Sequence, residues 1–195
     1  MPQESVEARK RVLRAVARAL PLEGLEGASA EAQRRLLGLP EIVPAARVCL
    51  YAATAHEVPT DDVAIELCAR GVRLAFPRVE GTSLRLYEVK DSKTLVAGYR
   101  GILEPAPGGA LVSPEEVDLY VVPGLLFDRS GRRLGRGGGH LDRLLEGARE
   151  DARRVGLCYA QQVVHELPIA PWDVTMHLVV TEEEVIRPAG PGEGA

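Results

Sequence analysis

Residues 123–145, PGLLFDRSGRRLGRGGGHLDRLL, concentrate the residue types that handle phosphate. An apolar run leads into a turn at 128–131, and Gly135-Arg136-Gly137-Gly138-Gly139 then enters a stretch with helical spacing. Successive glycines between a strand and a helix let backbone N–H groups converge on an anion, and the positive end of the helix reinforces them. Arg132, Arg133 and Arg136 add guanidinium groups able to bind phosphate oxygens in pairs, while Asp142 can hold a Mg²⁺ bridging those oxygens. The spacing is neither the Walker loop, which needs Gly-Lys-Ser/Thr, nor GxGxxG, because His140 occupies its last glycine position. Glycine and arginine content alone leaves a flexible, solvated loop open beside the phosphate site.

Three further groups carry chemistry. Lys10 and Arg14 stand four residues apart on one helix face, where like charges repel by about a few tenths of a kcal/mol. A bound polyphosphate would offset that cost; a solvated basic face is the other reading. In the segment 51–60, Glu57 can accept hydrogen bonds from a polar heterocycle and His56 can carry a proton, or Glu57 simply favours the start of the following helix. Within Leu167-Pro168-Ile169-Ala170-Pro171-Trp172-Asp173, Asp173 is either a second metal carboxylate beside Asp142 or a turn residue. His140, His165 and His177 lack zinc-like spacing, and no Ser-His-Asp or Cys-His arrangement is legible.

These groups must be held by regular elements. Apolar periodicity predicts helices over 5–20, 30–37, 60–70 and 140–149, with Ser5 and Thr60 as caps, and Ser113-Pro114-Glu115-Glu116 reads as a further helix start. Short runs rich in β-branched, aromatic or leucine residues predict strands over 48–53, 72–76, 84–89, 119–122, 155–160 and 178–181. The alternation implies an α/β fold whose mostly parallel sheet is covered on both faces, with ligands at the carboxyl ends of the strands.

Composition sets the outer bounds. The 195 residues carry 24 Lys plus Arg against 28 Asp plus Glu, a net charge of −4, which argues against a globally basic nucleic-acid binder. At 46% hydrophobic and 27% charged, the chain suits one ordinary globular domain. A charged N-terminus and the lack of an apolar run near ~18 residues predict no signal peptide and no membrane span, hence a cytoplasmic protein. Cys49, Cys68 and Cys158, each in an apolar run, read as buried small hydrophobes. The tail 188–195 is expected to be disordered.

Taken in order, the segments resemble the 5-formyltetrahydrofolate cyclo-ligase family, also called methenyltetrahydrofolate synthetase. The pieces that carry the resemblance begin with Lys10-x-x-Leu13-Arg14, Tyr51…Glu57-Val58-x-Thr60, Pro77 and Gly101-Ile102-Leu103-Glu104-Pro105. They continue through Pro123-Gly124-Leu125-x-Phe127-Asp128-x-x-Gly131-x-Arg133-Leu134-Gly135-x-Gly137-x-Gly139-x-x-Asp142 to Gln161/Gln162, Leu167-Pro168, Trp172-Asp173 and Val179-Val180-Thr181-Glu182. The long glycine motif is the specific part.

The resemblance implies one three-layer α/β/α domain over 1–187 that binds ATP, Mg²⁺ and a reduced folate, with small molecules rather than nucleic acid or membrane as partners. It implies conversion of 5-formyltetrahydrofolate to 5,10-methenyltetrahydrofolate as ATP becomes ADP and phosphate. ATP contacts would fall to Lys10, Arg11, Val12, Leu13 and Arg14, and to Arg133, Leu134, Gly135, Arg136, Gly137, Gly138, Gly139, His140 and Leu141. Folate contacts would fall to Ala52, Glu57 and the stretch Arg136 through His140; Asp142 and Asp173 would ligate Mg²⁺. Arg136 and His140 would be catalytic, where both ligands meet. One departure is visible: the family usually places two aromatic residues between the last glycine and the aspartate, where this chain has His140 and Leu141. The alternatives are a paralogue of the same fold with another substrate and a non-catalytic nucleotide- or folate-binding regulator.

Overall fold

The computed structural model describes residues 5–21 and 24–189, so most of the expected disordered tail lies outside the described residues. Four α-helices are present among them: α1 (Val6–Arg18), α2 (Glu26–Leu37), α3 (Asp61–Ala69) and α4 (His140–Glu146). The strands in chain order are β1 (Arg47–Cys49), β2 (Arg73–Glu80), β3 (Ser83–Glu88), β4 (Val96–Ala97), β5 (Leu103–Glu104), β6 (Leu111–Val112) and β7 (Leu119–Val122). They continue with β8 (Leu126–Asp128), β9 (Arg133–Leu134), β10 (Arg153–Leu157), β11 (Val163–Val164), β12 (Leu178–Val180) and β13 (Val185–Ile186).

Eight strands form the main sheet in the order β13-β12-β10-β7-β1-β2-β3-β6. The central five run parallel, with registers such as Val48 against Leu74 and Leu119, and Val155 against Val121 and Leu178. Parallel strands need both faces covered, and β1, β7 and β12 are buried along their whole length. Alternate side chains enter two separate cores. Val48, Leu74, Leu119, Val121, Val155 and Val180 face α2 and α3, whereas Cys49, Ala75, Tyr120, Val122 and Val179 face Leu144 and Leu145 of α4. The mostly parallel, three-layer expectation is met, and the edges β3, β6 and β13 are antiparallel.

Helix α1 lies apart from these layers. Leu13, Ala17 and Leu20 pack against Leu126, Leu134 and Val164 of a small three-stranded sheet, β11-β8-β9. This packing brings the basic face of α1 to the segment that follows β9.

Several boundaries differ from expectation for local reasons. Helix α2 begins at Glu26 rather than near residue 30, since Ser29 is buried and bonded to the Tyr159 hydroxyl at 2.8 Å. Strand β1 is shorter than 48–53 because the chain leaves the sheet after Leu50, whose N–H reaches Ala75 O at 2.9 Å. Strand β2 runs on through Pro77 to Glu80, pairing with β3 across the two-residue turn Gly81-Thr82. Beyond Ala75 it has no β1 neighbour, so the N–H missing from Pro77 leaves no ladder bond unmade. Residues 113–116 yield a single 3₁₀ turn, Pro114–Glu116, before β7 begins. Thr60 precedes α3 without capping it through its side chain; its hydroxyl donates instead to Tyr51 O at 2.5 Å.

The cysteines are free. Burial pushes the Cys49 thiol up to about 12 and raises that of Cys158 as well, whereas Cys68 is only partly buried. No described helix is long and apolar enough to cross a membrane.

Candidate functional site

The segment leading out of β9 crosses the carboxyl ends of the parallel strands and enters α4. Gly137 has φ +101, and a Cβ there would stand 3.4 Å from the Arg14 guanidinium. Gly139, at φ +65, is the residue before α4, and a Cβ on it would meet Arg143 at 2.9 Å. The positive φ at both positions disfavours any residue with a side chain. Arg136, Gly137 and Gly138 are exposed, between half-buried Gly135 and Gly139.

Three cations meet three carboxylates here. Lys10 is 3% exposed and its ammonium donates to Asp173 Oδ2, which also accepts from Ala170 N at 2.6 Å. Arg133 donates to Asp142 Oδ1 at 2.8 Å and to Pro123 O at 3.3 Å. Arg136 donates to Glu57 Oε1 at 3.1 Å and to the Thr54 hydroxyl. Glu57 is itself held, since Oε2 accepts from Thr54 N at 2.9 Å and Thr54 Oγ1 at 3.0 Å. Arg14 is the fourth cation, donating from Nε to Gly135 O at 3.1 Å, and Glu7 lies 3.9 Å from Lys10 and 3.7 Å from Arg14. That acidic neighbour relieves the like-charge repulsion expected between Lys10 and Arg14.

The two aspartates lie side by side: Val174 N, next in the chain to Asp173, approaches Asp142 Oδ1 at 3.5 Å. Each uses a single oxygen in these contacts, so the other oxygen is available to a further ligand. Among the described residues no cluster of three or more His, Cys, Asp or Glu is assembled for a metal. A site with two carboxylates suits an ion that takes its remaining ligands from phosphate and water, as Mg²⁺ does.

Not every residue expected at the site faces it. Arg11 and Val12 are exposed on α1, and Leu13 packs against the small sheet. Leu134 is buried in the same cluster, and Leu141 packs against the α4-side core. Ala52 is half-buried on the loop after β1. His140 opens α4, with Nδ1 3.4 Å from the Arg143 guanidinium.

Relatives of known kind fit this arrangement. The sequence profile described as the 5-formyltetrahydrofolate cyclo-ligase family matches residues 2–182. The chain belongs to the 5-formyltetrahydrofolate cyclo-ligase family. It is similar to the mitochondrial 5-formyltetrahydrofolate cyclo-ligase of Arabidopsis thaliana, 32% identical over 79% of this chain and 65% of that protein. It thus spans just under two thirds of that relative's length. The Escherichia coli K12 5-formyltetrahydrofolate cyclo-ligase is 30% identical over 86% of this chain and 95% of its own. Among solved structures, the 5,10-methenyltetrahydrofolate synthetase of Aquifex aeolicus superposes with a TM-score of 0.81 at 33% identity, covering 97% of this chain and 95% of that one. A Mycoplasma pneumoniae synthetase at 20% identity shares the fold, with a TM-score of 0.70.

Within the cyclo-ligase motif, sequence reasoning missed three supports. Thr54 joins Glu57 to Arg136. Asp128 begins the turn expected at 128–131, but its fully buried side chain, which accepts from Ser130 N, Arg132 N and Leu167 N, each at 2.9 Å, also ties that turn to the 167–173 segment, and this went unread. Gln162 stood inside the motif with no role attached to it.

Proposed function

We propose that this chain converts 5-formyltetrahydrofolate to 5,10-methenyltetrahydrofolate while ATP becomes ADP and phosphate, as a single unit over residues 1–187 acting on small molecules in the cytoplasm. The observation that carries this reading is the bridge from Arg136, on the glycine segment, to Glu57, on the loop after β1. It joins a phosphate-type loop to a buried carboxylate suited to a polar heterocycle, which is where the two substrates must meet.

In the proposed reaction the formyl oxygen attacks the γ-phosphorus, and the bond from that phosphorus to the bridging oxygen breaks toward ADP. The folate N10 then closes on the activated formyl carbon and loses its proton, and phosphate leaves with the former formyl oxygen. Positioning and charge stabilisation are most of what such chemistry asks of a protein. Lys10, Arg14 and Arg133 bind the triphosphate together with the backbone from Gly135 to Gly139. Arg136 follows charge onto the transferring phosphoryl group, and His140 stands beside it at the start of α4. Glu57 and the backbone at Ala52 hold the folate ring. Asp142 and Asp173 would hold Mg²⁺, which when bound neutralises phosphate charge. Leu134 and Leu141 use their side chains to pack the two ends of the segment, leaving only their backbone to the nucleotide.

The test is the release of ADP from ATP with and without 5-formyltetrahydrofolate. ADP formation that depends strictly on the folate supports the reading; ADP formation indifferent to the folate would reject it.

A further inference from the structure

Gln162 is 1% exposed and sits on the turn after β10. Its Oε1 accepts from Tyr159 N at 2.9 Å, which fixes the orientation of the amide. The donor end therefore faces three carbonyls: His56 O at 3.4 Å, Gly124 O at 3.3 Å and Leu125 O at 3.1 Å. Two N–H bonds serve three acceptors, one of them shared.

The placement of these carbonyls is what matters. They lie on the loops after β1 and after β7, and Gln162 follows β10; the three strands are neighbours in the order β10-β7-β1. One buried amide thus ties the carboxyl ends of three adjacent strands. His56 directly precedes Glu57. On the other side, Leu125 N donates to Leu134 O at 2.8 Å, and Arg133, the next residue back, donates to Pro123 O. The amide stands at the junction between the segment bearing Glu57 and the segment bearing Arg133 and Arg136.

We propose that Gln162 is a positioning residue that sets the gap between Glu57 and Arg136, the gap a reduced folate must enter. This rests on the reading that Glu57 meets the folate. A buried donor facing three acceptors has no substitute among apolar or anionic side chains, because either replacement leaves carbonyls unpaired or sets oxygen against oxygen. The loop after β1 would then settle at another distance from the glycine segment. Phosphate binding by Lys10 and Arg14 on α1, which Gln162 does not touch, would be left largely as it is.

The test uses Gln162→Met and Gln162→Glu, the second keeping both shape and the acceptor for Tyr159 N. Both should raise the KM for 5-formyltetrahydrofolate about tenfold or more, with kcat and the KM for ATP held within about twofold. A proportional loss in kcat and both KM values, or an unchanged folate KM, overturns the proposal. Should the variants not fold, hydrogen exchange of the parent protein decides the matter. Saturating 5-formyltetrahydrofolate is expected to slow the amides of residues 54–60 and 159–162 together, and protection confined to 54–60 overturns the link. A parent protein that binds no 5-formyltetrahydrofolate in calorimetry rejects the folate reading itself, and the proposal with it.

Discussion

Lys10, Arg133 and Arg136 each have a carboxylate partner before any substrate arrives: Asp173, Asp142 and Glu57 respectively. Binding of nucleotide and divalent ion is then an exchange, in which phosphates take the cations and the ion takes Asp142 and Asp173. Two outcomes follow from that exchange. Asp142→Asn frees Arg133 from its counter-ion, and because this pair is largely buried its release counts for more than that of a surface pair, so ATP without metal should bind about fivefold tighter or more in calorimetry. The same variant should lose roughly a hundredfold in metal-dependent turnover. Glu57→Gln removes the charge that Arg136 and the Thr54 amide recognise; the folate KM should rise about tenfold while ATP affinity, with Arg136 freed for phosphate, is not lowered, a charge-assisted bond being worth about 1.5–3 kcal/mol. An equal loss for both ligands would place Glu57 elsewhere in the reaction. The residue types at this site were legible in the sequence, but their pairings were not. Lys10 and Asp173 are 163 residues apart, and only the docking of α1 on the small sheet brings them together.

The glycine segment works because its backbone takes shapes that other residues resist. Gly137→Ala forces φ +101 on a residue with a Cβ, a strain of about 1–3 kcal/mol that the exposed segment relieves by giving up its shape. Nucleotide affinity should fall with little change in Tm, because the segment is exposed; a lowered Tm with normal affinity would point to a structural role alone. A second element-level device joins the starts of β10 and β12: Arg154 N donates to His177 Nδ1 at 3.0 Å, and His177 N donates to Arg154 O at 2.9 Å. Burial, then the charges of Arg154 and Arg153, hold the His177 pKa down to about 4 from 6.5. The unfolded chain therefore binds the extra proton first as pH falls, so this contribution to stability is whole above about 6.5 and is lost progressively toward pH 4. His177→Gln should flatten that part of the Tm–pH profile. Most strands and helices were legible from periodicity, as was the parallel core. Missed boundaries came from tertiary contacts: the buried Ser29 that extends α2, and the antiparallel partner that carries β2 past Pro77.

The chain as a whole is acidic, at −4, yet its proposed nucleotide site gathers Lys10, Arg14, Arg133 and Arg136 beside the carboxyl ends of the central strands. Net charge described partners too coarsely to reveal this, because the average hides pairs that form only on folding. It still argues for one small polyphosphate over a polymer, whose binding needs charge spread along a surface. The order of the motifs carried the family and the layered fold; that Leu134 is buried and Leu141 packs on the α4-side core needed the tertiary structure. The central claim concerns a single coupled reaction. Its most direct measurement is the absorbance of 5,10-methenyltetrahydrofolate formed from 5-formyltetrahydrofolate, ATP and Mg²⁺, followed beside ADP. One methenyl product for each ADP, and none when ATP is omitted, is the expected result; ATP bound with no methenyl product from the authentic folate would contradict it.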